Sequence, residues 1–307
     1  MRILPRPALP LWLRRGTVKS VLHDQTNSQM PAIFFQLPAP PLRRLVTTLY
    51  RVEAPGPLRD HLHPEWGNIR FTLAGDWRLE MPGRADPTPR RAAVFGPTDR
   101  TAQLISEAGG VSMGFGLTAL GWSRLVGVPA NSLANRMAEL GTDGNALAET
   151  LAGASRDAAW EIMERWIEAK AAASPADPAS DAAIERVQAA LIGGDISTVA
   201  SFAAETGLSA RTLSRLCTRA FGFAPKRLLR RQRFLRTLAA VGDRLDQPLS
   251  LLLDGSYFDQ SHFIREFRSH MGMAPLAYFH SPRQLMRRAA AARLAAAGAT
   301  MQGLHAG

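Results

Sequence analysis

"LSARTLSRLCTRAFGFAPKRLL" (residues 208–229) and "FDQSHFIREFRSHMGMAPLAYF" (residues 258–279) are two copies of one sequence pattern. The copies align at an offset of 50 residues, so that "GFAP" (222–225) falls on "GMAP" (272–275). Each copy predicts one helix, a stop at glycine, and a second helix with proline at its first position. An internal repeat of this kind indicates that the C-terminal third of the chain is built from two similar units.

A shorter helical segment precedes each copy: "TVASFAAETG" (198–207) before the first and "PLSLLLDGS" (248–256) before the second. Two helices joined by a short turn that contains glycine, the second of them polar on one face, form the helix-turn-helix pattern. Between the copies, "PKRLLRRQRFLRTLAAV" (225–241) predicts a helix of about 17 residues, or roughly 25 Å. That length suits two recognition helices in major-groove segments about 34 Å apart on one face of DNA.

The outward faces of the two longer helices are rich in hydrogen-bond donors. Helical spacing places apolar residues such as Leu213 and Phe263 inside, and Ser209 and Asp259 precede the helices as N-caps. Arginine can bind guanine through two hydrogen bonds, and glutamine can bind adenine in the same way. An ordinary solvated face carries acids as freely as bases, yet only Glu266 is acidic here. The outward side chains are Arg211, Thr212, Ser214, Arg215, Thr218 and Arg219 in the first copy, and Gln260, Ser261, His262, Arg265 and Arg268 in the second.

The net charge of +11 is concentrated in the region of the repeat. Residues 185–307 carry 17 basic and 8 acidic residues, or +9, whereas residues 31–184 carry 15 basic and 17 acidic residues, or −2. Arginine outnumbers lysine 34 to 3, which a GC-rich genome would also produce, but that bias does not explain the difference between the regions. The asymmetry favours a polyanionic partner for the C-terminal third.

Residues 31–118 read as short extended segments separated by glycine, proline and aspartate, which predicts a β-sandwich or small barrel. From about Leu120 the sequence has helical spacing, including "NSLANRMAEL" (131–140), so the predicted fold class is α+β. Trp160, Met163 and Ile167 form one apolar stripe on a further predicted helix. The stripe indicates either packing on the chain's own β domain or a dimer interface.

The sequence divides into five predicted segments. They are a disordered extension (1–30), a β-rich sensor or dimerisation domain ending in helices (31–172), a linker (173–182), a tandem helix-turn-helix domain (183–282) and a C-terminal tail (283–307). Proline and small residues suggest the linker. The tail is alanine-rich with little apolar face to dock, so we expect it to fray. Either Met1 or Met30 could be the start of the protein.

The tandem pattern resembles the DNA-binding domain of AraC/XylS-type transcriptional regulators over about residues 183–282. The resemblance implies that bases are read by Arg211, Ser214 and Arg215 in the first unit and by Gln260, Ser261, His262 and Arg265 in the second. The predicted phosphate contacts are Thr212, Thr218, Lys226, Arg227, Arg230, Arg231 and Arg268. The family usually has glycine at the position of Ser256, whereas this chain has Gly255 one place earlier, which predicts a distorted turn in the second unit.

The same resemblance implies a cupin-like N-terminal barrel that senses a small molecule, dimerises, or both. In "HLHPEWGNIRF", His61 and His63 would share one face of a strand, as metal ligands do. However, Glu65 follows too soon for the cupin pattern, Pro64 breaks the strand, and no further histidine occurs before His262. The alternative is an effector pocket, unless these residues are ordinary strand core and rim. Its predicted lining is His61, His63, Trp66, Arg70 and Trp77.

Taken together, these features predict a cytoplasmic, sequence-specific transcription regulator that binds promoter DNA and responds to a small-molecule effector. RNA polymerase and a second copy of the chain are further expected partners. The single cysteine, Cys217, fits a reducing compartment, and no run of 18 apolar residues predicts a membrane span. We expect no metal, cofactor or catalytic residue. Two alternatives stay open: a cupin-type metalloenzyme with a DNA-binding appendage, and a DNA-binding dimer that needs no ligand.

Overall fold

The computed structural model describes residues 30–81, 91–242, 257 and 259–304. Within these residues, a domain of two antiparallel β-sheets with helices is followed by a region of helices only, which is the predicted α+β class. The predicted extension, except for its last residue, and the predicted helix at 248–256 lie outside the described residues. None of the helices in the described part of the chain is long and apolar enough to cross a membrane.

The described strands form a six-stranded sheet and a three-stranded sheet. They are β1 (Ala32–Gln36), β2 (Val46–Ala54), β3 (Leu58–Leu62), β4 (Asn68–Gly75), β5 (Arg78–Glu80), β6 (Ala92–Phe95), β7 (Ala102–Ser106), β8 (Gly110–Leu117) and β9 (Met137–Glu139). The larger sheet has the order β1-β2-β8-β4-β6-β9, and in the smaller sheet β7 lies between β3 and β5. Every pairing is antiparallel, so the two sheets form a sandwich that matches the predicted β-rich domain.

The central strand β4 shows why the larger sheet has two different faces. Strand side chains alternate, so Ile69 and Phe71 point one way while Asn68 and Arg70 point the other. Ile69 and Phe71 are fully buried against the helices, in the main apolar core. Asn68 and Arg70 instead face the space between the two sheets. The main apolar core therefore lies outside the sandwich, while polar groups occur among the apolar side chains inside it.

The helices of the described residues follow the strands, apart from β9. They are α1 (Ala119–Leu125), α2 (Thr142–Gly153), α3 (Arg156–Ala173), α4 (Pro178–Gly193), α5 (Val199–Thr206), α6 (Ala210–Phe221), α7 (Pro225–Val241), α8 (Gln260–Met271), α9 (Pro275–His280) and α10 (Gln284–Ala297). Helix α2 packs on strand β4, and α1 and α3 pack against each other beside it. The helix that we predicted for residues 131–140 is wrong. Met137 instead pairs with Phe95, which makes β9 an edge strand beside β6.

The apolar stripe on α3 belongs to the core of its own domain. Trp160, Met163 and Ile167 are all buried, and the ring of Trp166 on the same helix lies 6.2 Å from that of Phe115 on β8. The stripe has no surface to offer a second copy, so its interpretation as a dimer interface is wrong and packing on the β domain is confirmed. The predicted linker is also shorter than expected, because α4 already begins at Pro178.

The predicted repeat is present as two similar helical units. Gly222 and Gly272 end α6 and α8 in the left-handed conformation, with φ of +84° and +69°, which glycine adopts without strain. The predicted N-caps are confirmed, because the Ser209 side chain accepts a hydrogen bond from the Thr212 amide and Asp259 does so from His262. The predicted helix at 225–241 is confirmed as α7, which joins the two units.

The two units differ in what they pack against. Leu213 and Cys217 of α6 lie in the same continuous apolar core as Phe71 and Phe115 of the sheet. The second unit has a separate core, in which rings from α7, α8 and α9 pack edge to face or tilted at centroid distances of 5.2 to 5.8 Å. The domain boundary predicted at 183 is therefore not a break in the hydrophobic core.

The C-terminal tail does not fray, contrary to our expectation. Helix α10 packs along β1 and β3, with Leu285 and Ala289 buried. The carboxylate of Asp60 on β3 accepts hydrogen bonds from the backbone amides of Leu285 and Met286, at 2.9 and 3.0 Å. An acidic group at this end of a helix satisfies amides that lack an intrahelical partner. Two small apolar residues and this cap are enough to dock a helix that looked unanchored in the sequence.

A buried arginine joins the helical region to the β-sandwich. Arg231 of α7 has no exposed surface, and its guanidinium carbon lies 3.8 Å from the ring centroid of Trp66. It donates hydrogen bonds to the backbone carbonyls of Thr98 and Glu65, at 3.1 and 3.3 Å. Burial lowers the pKa of Arg231 to about 9, and the nearby Asp99 opposes this shift. The side chain therefore remains cationic at neutral pH, where its charge is stabilised by the ring and by two carbonyls.

We expect Arg231→Ala to lower the free energy of unfolding by about 3 kcal/mol, because it removes a large buried side chain and leaves a cavity. Urea denaturation of the full chain measures this change. The control is Lys226→Ala on the same helix, which is exposed and should change the stability by less than about 0.5 kcal/mol. Equal midpoints for the two variants would contradict the role given to Arg231.

Candidate DNA-binding surface and ligand cavity

The first candidate recognition helix, α6, exposes a basic face. Its predicted base-reading residues Arg211, Ser214 and Arg215 are all exposed, while Thr212 and Thr218 are half-buried at the edges of that face. The helix is held from behind by fully buried apolar side chains. The donors are therefore free to bind an external partner while their backbone is fixed.

The N-terminal domain lies next to this face. Pro129 and Asn131 share a shallow concave surface with the arginines of α6. The 3₁₀ turn Ala130–Ser132 packs directly against the helix. A Cβ atom on Gly222, at the end of α6, would lie 2.5 Å from the Pro97 ring. Glycine at 222 thus permits both the left-handed turn and the close approach of the two domains.

The second candidate recognition helix, α8, also exposes the residues that we predicted. Gln260, Ser261 and Arg265 are exposed, and His262 is half-buried against the Tyr257 ring at a centroid distance of 5.3 Å. The acid of this helix, Glu266, points inward and forms an ion pair with Arg233 of α7 at 2.7 Å. The outward face of α8 therefore carries no acid. The predicted distortion at 255–256 lies outside the described residues.

Some of the side chains predicted to contact phosphates are exposed and could reach DNA, and others are not. Lys226, Arg230 and Arg268 are exposed. Arg227 is partly exposed and forms an ion pair with the buried Asp99 of the β domain. Arg231 is buried between the domains, as described above, so it cannot reach a phosphate here and is removed from the predicted set. The helical pattern alone could not reveal this, because Arg231 is buried by a different domain.

A cavity of about 100 Å³ lies between the two sheets and helix α10. Most of its lining is apolar, with side chains from both sheets and from the C-terminal segment. An engineered apolar cavity of about 150 Å³ binds benzene, so the space is on the scale of a small ring. A concave, mostly apolar cavity that also carries polar groups has the character of a small-molecule site.

Several polar groups of the cavity form one hydrogen-bonded cluster. The Tyr50 hydroxyl donates to Asn68 Oδ1 at 2.7 Å and accepts from Arg70 Nε at 3.0 Å. Arg70 is also paired with Glu65, and its guanidinium lies over the Phe95 ring. Burial raises the pKa of Tyr50 to about 12, so its hydroxyl keeps its proton at neutral pH. The cluster is a fixed polar patch in an otherwise apolar wall.

The structure brings together three of the five residues predicted for the pocket. His63, Arg70 and Trp77 line the cavity, whereas His61 and Trp66 do not. Trp66 is wrong as a pocket residue because its ring packs on Phe221 and Arg231 at the domain interface. His61 lies on β3 near Gln103, outside the cavity lining. Among the described residues, no group of three His, Cys, Asp or Glu side chains could hold a metal ion.

His63 contacts the DNA-binding region directly. Its Nε2 lies 2.5 Å from the Tyr278 hydroxyl on α9. Burial lowers the pKa of His63 to about 3, and the positive charges of Arg293 and Arg283 act in the same direction. The imidazole is therefore neutral at physiological pH and acts as a hydrogen-bond partner between the domains.

A family model described as a helix-turn-helix domain matches residues 202–281. This range covers both candidate recognition helices and the helix that joins them. Residues 202–281 are thus similar to a helix-turn-helix domain, which lies in the C-terminal third of the chain. No curated protein matches the chain.

Several solved structures are similar to most of the chain at low sequence identity. ToxT from Vibrio cholerae is 14% identical, with a TM-score of 0.43, over 73% of this chain and 95% of that one. A ToxT structure bound to an unsaturated fatty acid is 10% identical, with a TM-score of 0.41, over 74% and 96%. The AraC-like transcriptional activator CuxR is 17% identical, with a TM-score of 0.26, over 64% and 80%. Because these TM-scores are all below 0.5, the interpretation of the N-terminal domain rests on its own geometry.

Sequence reasoning missed the cavity residues that lie beyond the helix-turn-helix domain. Arg293 of α10 and Gln302 of the final 3₁₀ turn both line the cavity. The Gln302 amide donates to the Gly67 carbonyl at 3.2 Å, and its oxygen accepts from Asn68 at 3.4 Å. No motif marks these two residues, because their role depends on where the tail docks.

We expect acidification from pH 7.5 to 5 to destabilise the wild-type chain more than His63→Gln. In the unfolded chain, the residue 63 imidazole takes up a proton near its ordinary pKa of 6.5, whereas in the folded chain it stays neutral down to about pH 3. This difference favours unfolding as the pH falls through that window. Urea midpoints at several pH values measure the effect. His280→Gln, at an exposed position on α9, should keep the wild-type pH dependence, and equal slopes for both variants would contradict the assignment.

Proposed function

We propose that this protein regulates transcription by binding a specific promoter sequence through both helix-turn-helix units, under the control of a small molecule in its N-terminal domain. The observation that carries the proposal is the pair of exposed, acid-free faces on α6 and α8 within one helix-turn-helix domain. Arg211, Ser214 and Arg215 read bases in the first unit. Gln260, Ser261, His262 and Arg265 read bases in the second unit. Direct base reading needs donors of these types in the major groove.

Phosphate binding is assigned to a separate set of side chains. Lys226 and Arg230 lie on the connecting helix α7, and Arg268 lies on α8. All three are exposed, and such contacts fix the register of the protein on DNA without reading sequence. Thr212 and Thr218 flank the base-reading face of α6. Arg227 is partly exposed, so part of its side chain can reach a phosphate. This division predicts different effects of substitution on specificity and on affinity.

The cavity is proposed as the effector site because its walls are connected to the DNA-binding domain. His63 lines the cavity and meets Tyr278 of α9, while Gln302 is followed by Gly303, whose carbonyl accepts a hydrogen bond from Gln232 of α7 at 2.8 Å. A ligand that stabilises one arrangement of the walls therefore changes the energy of contacts to both α7 and α9. Differential binding of this kind is what couples an effector site to a distant function.

The proposed setting is the bacterial cytoplasm, with RNA polymerase as the partner at the promoter. A homodimer is also proposed, although the α3 stripe is buried and cannot form its interface. We assign no catalytic step to the protein: its role is binding. In vitro selection of DNA sites with the full-length chain tests the central proposal, since the absence of any enriched sequence would contradict it.

We expect Arg215→Ala and Arg265→Ala each to weaken binding to the selected site by about 1–3 kcal/mol and to relax preference at one base position. The reason is the loss of a guanidinium that donates two hydrogen bonds to a base edge. Repeated selection with each variant measures the effect. Arg186→Ala, exposed on α4 and outside both recognition helices, is the matched control. An unchanged selected sequence for Arg215→Ala would exclude α6 as a base-reading helix.

We expect Lys226→Ala and Arg230→Ala to weaken binding to all DNA sequences alike. Each loses one phosphate contact, so the slope of log K against log salt should become less steep by about 1. Fluorescence anisotropy over a salt series, on specific and random duplexes, measures both quantities. A change in base preference without a change in salt slope would move these residues to the base-reading set.

A further inference from the structure

The charges that face the cavity do not balance. Arg70 is paired with Glu65, and the His63 imidazole is neutral. Arg293 lines the same cavity but has no ion pair with any carboxylate of the described residues. Its Nε is buried and makes no hydrogen bond there. The cavity wall therefore carries one positive charge that forms no ion pair with an acid of the described residues.

Arg293 is held close to the cavity rather than extended into solvent. Its guanidinium carbon lies 4.5 Å from the ring centroid of Phe35 on β1. Burial lowers the pKa of Arg293 to about 10, while the neighbouring Glu65 and Tyr50 oppose that shift. The guanidinium thus stays protonated at neutral pH although much of its hydration is lost. A desolvated cation of this kind is costly unless an anion binds it.

Most of the remaining lining residues are apolar and indicate what the uncharged part of a ligand would be. Phe35, Val52, Leu104 and Met286 are among the apolar side chains that surround the space. At about 100 Å³, the cavity is comparable with the space that a single small ring needs. An apolar wall of this size with one cation selects a compact apolar body that carries one negative group.

We propose that the cavity binds a small monoanion with an apolar body, of the carboxylate class, and that Arg293 of the C-terminal helix binds its anionic end. The inference rests on the proposed effector function of the N-terminal domain and adds the ligand class and the residue that recognises it. Arg70 is not the recognition residue, because its charge is already paired with Glu65 and its Nε is bonded to Tyr50. Arginine suits the role since its planar guanidinium binds a carboxylate through two parallel hydrogen bonds.

Because of the position of Arg293, ligand binding would stabilise a segment that contacts both domains. Asp60 holds the start of α10 on β3, and Gly303 beyond its end is bonded to Gln232 of the DNA-binding domain. A carboxylate on Arg293 would fix the middle of this segment to the cavity. The bound ligand thus stabilises a chain segment that touches the β-sandwich at one end and α7 at the other.

The test compares monocarboxylates with their primary amides on the full-length chain. The probes carry phenyl, cyclohexyl or linear alkyl bodies of about five to ten heavy atoms, and isothermal titration measures their affinity. In the wild type, we expect at least one carboxylate to bind about tenfold or more tightly than its amide, because the charged hydrogen bond is lost in the amide. The absence of any such preference across the set would overturn the proposal.

Two variants and one control separate recognition from structure. We expect Arg293→Gln to lose the preference for carboxylate over amide, while Arg293→Lys retains part of it because the charge remains. Arg288→Gln, exposed on the same helix, should bind as the wild type does. If Arg293→Gln folds, by circular dichroism and melting temperature, and still prefers the carboxylate, the assignment of Arg293 is wrong. Arg293→Lys carries the test if Arg293→Gln does not fold, and equal binding of acid and amide by that variant would contradict a charge-based role.

A DNA-binding measurement on the same samples keeps this proposal distinct from the proposed function. Loss of carboxylate preference in Arg293→Gln together with wild-type selection of DNA sites supports the ligand assignment. Carboxylate binding in a wild-type chain that selects no DNA sequence would contradict the regulator function but support the cavity's ligand class.

Discussion

The arrangement of the two domains depends on one buried cation. Arg231 is stacked on Trp66 and bonded to two backbone carbonyls of the β-sandwich, so it makes these contacts only when the domains are together. Around it, Asp99 pairs with Arg227, and the Asp99 carbonyl lies 2.5 Å from Nδ1 of His270. A charge buried in this way is expensive to leave without its partners. The contact therefore resists separation of the DNA-binding domain from the sensor domain.

The contact between the domains leaves the two helix-turn-helix units with different freedom to move relative to the β-sandwich. The first unit shares its apolar core with the β-sandwich, while the second has a core of its own. Movement of α6 relative to the sheet would disturb the continuous core, whereas the second unit can respond through polar contacts such as that between His63 and Tyr278. The cavity lies beside these polar contacts and away from the main apolar core, because the cavity and that core lie on opposite faces of the larger sheet.

The sequence was sufficient for features that depend on local pattern. The repeat, the caps at Ser209 and Asp259 and the helix at 225–241 follow from spacing and turn chemistry, and all three are present. The failures concern contacts between distant segments. Arg231 looked like any other outward arginine on a basic helix, and only the packing of Trp66 against it shows otherwise. Likewise, Arg293 in an alanine-rich tail carries no local signal, because its environment is made by β1.

The docking of α10 also changes the boundaries of the N-terminal domain, because the C-terminal segment becomes part of it. Residues 31–172 contain both sheets, but without the C-terminal segment that portion of the chain lacks Arg293, Gln302 and the helix that covers the opening between the sheets. The cavity is therefore assembled from the two ends of the described chain, with the DNA-binding domain inserted between them in sequence. It is complete only once residues 284–304 have been synthesised and docked. Deletion of these residues would alter the cavity itself.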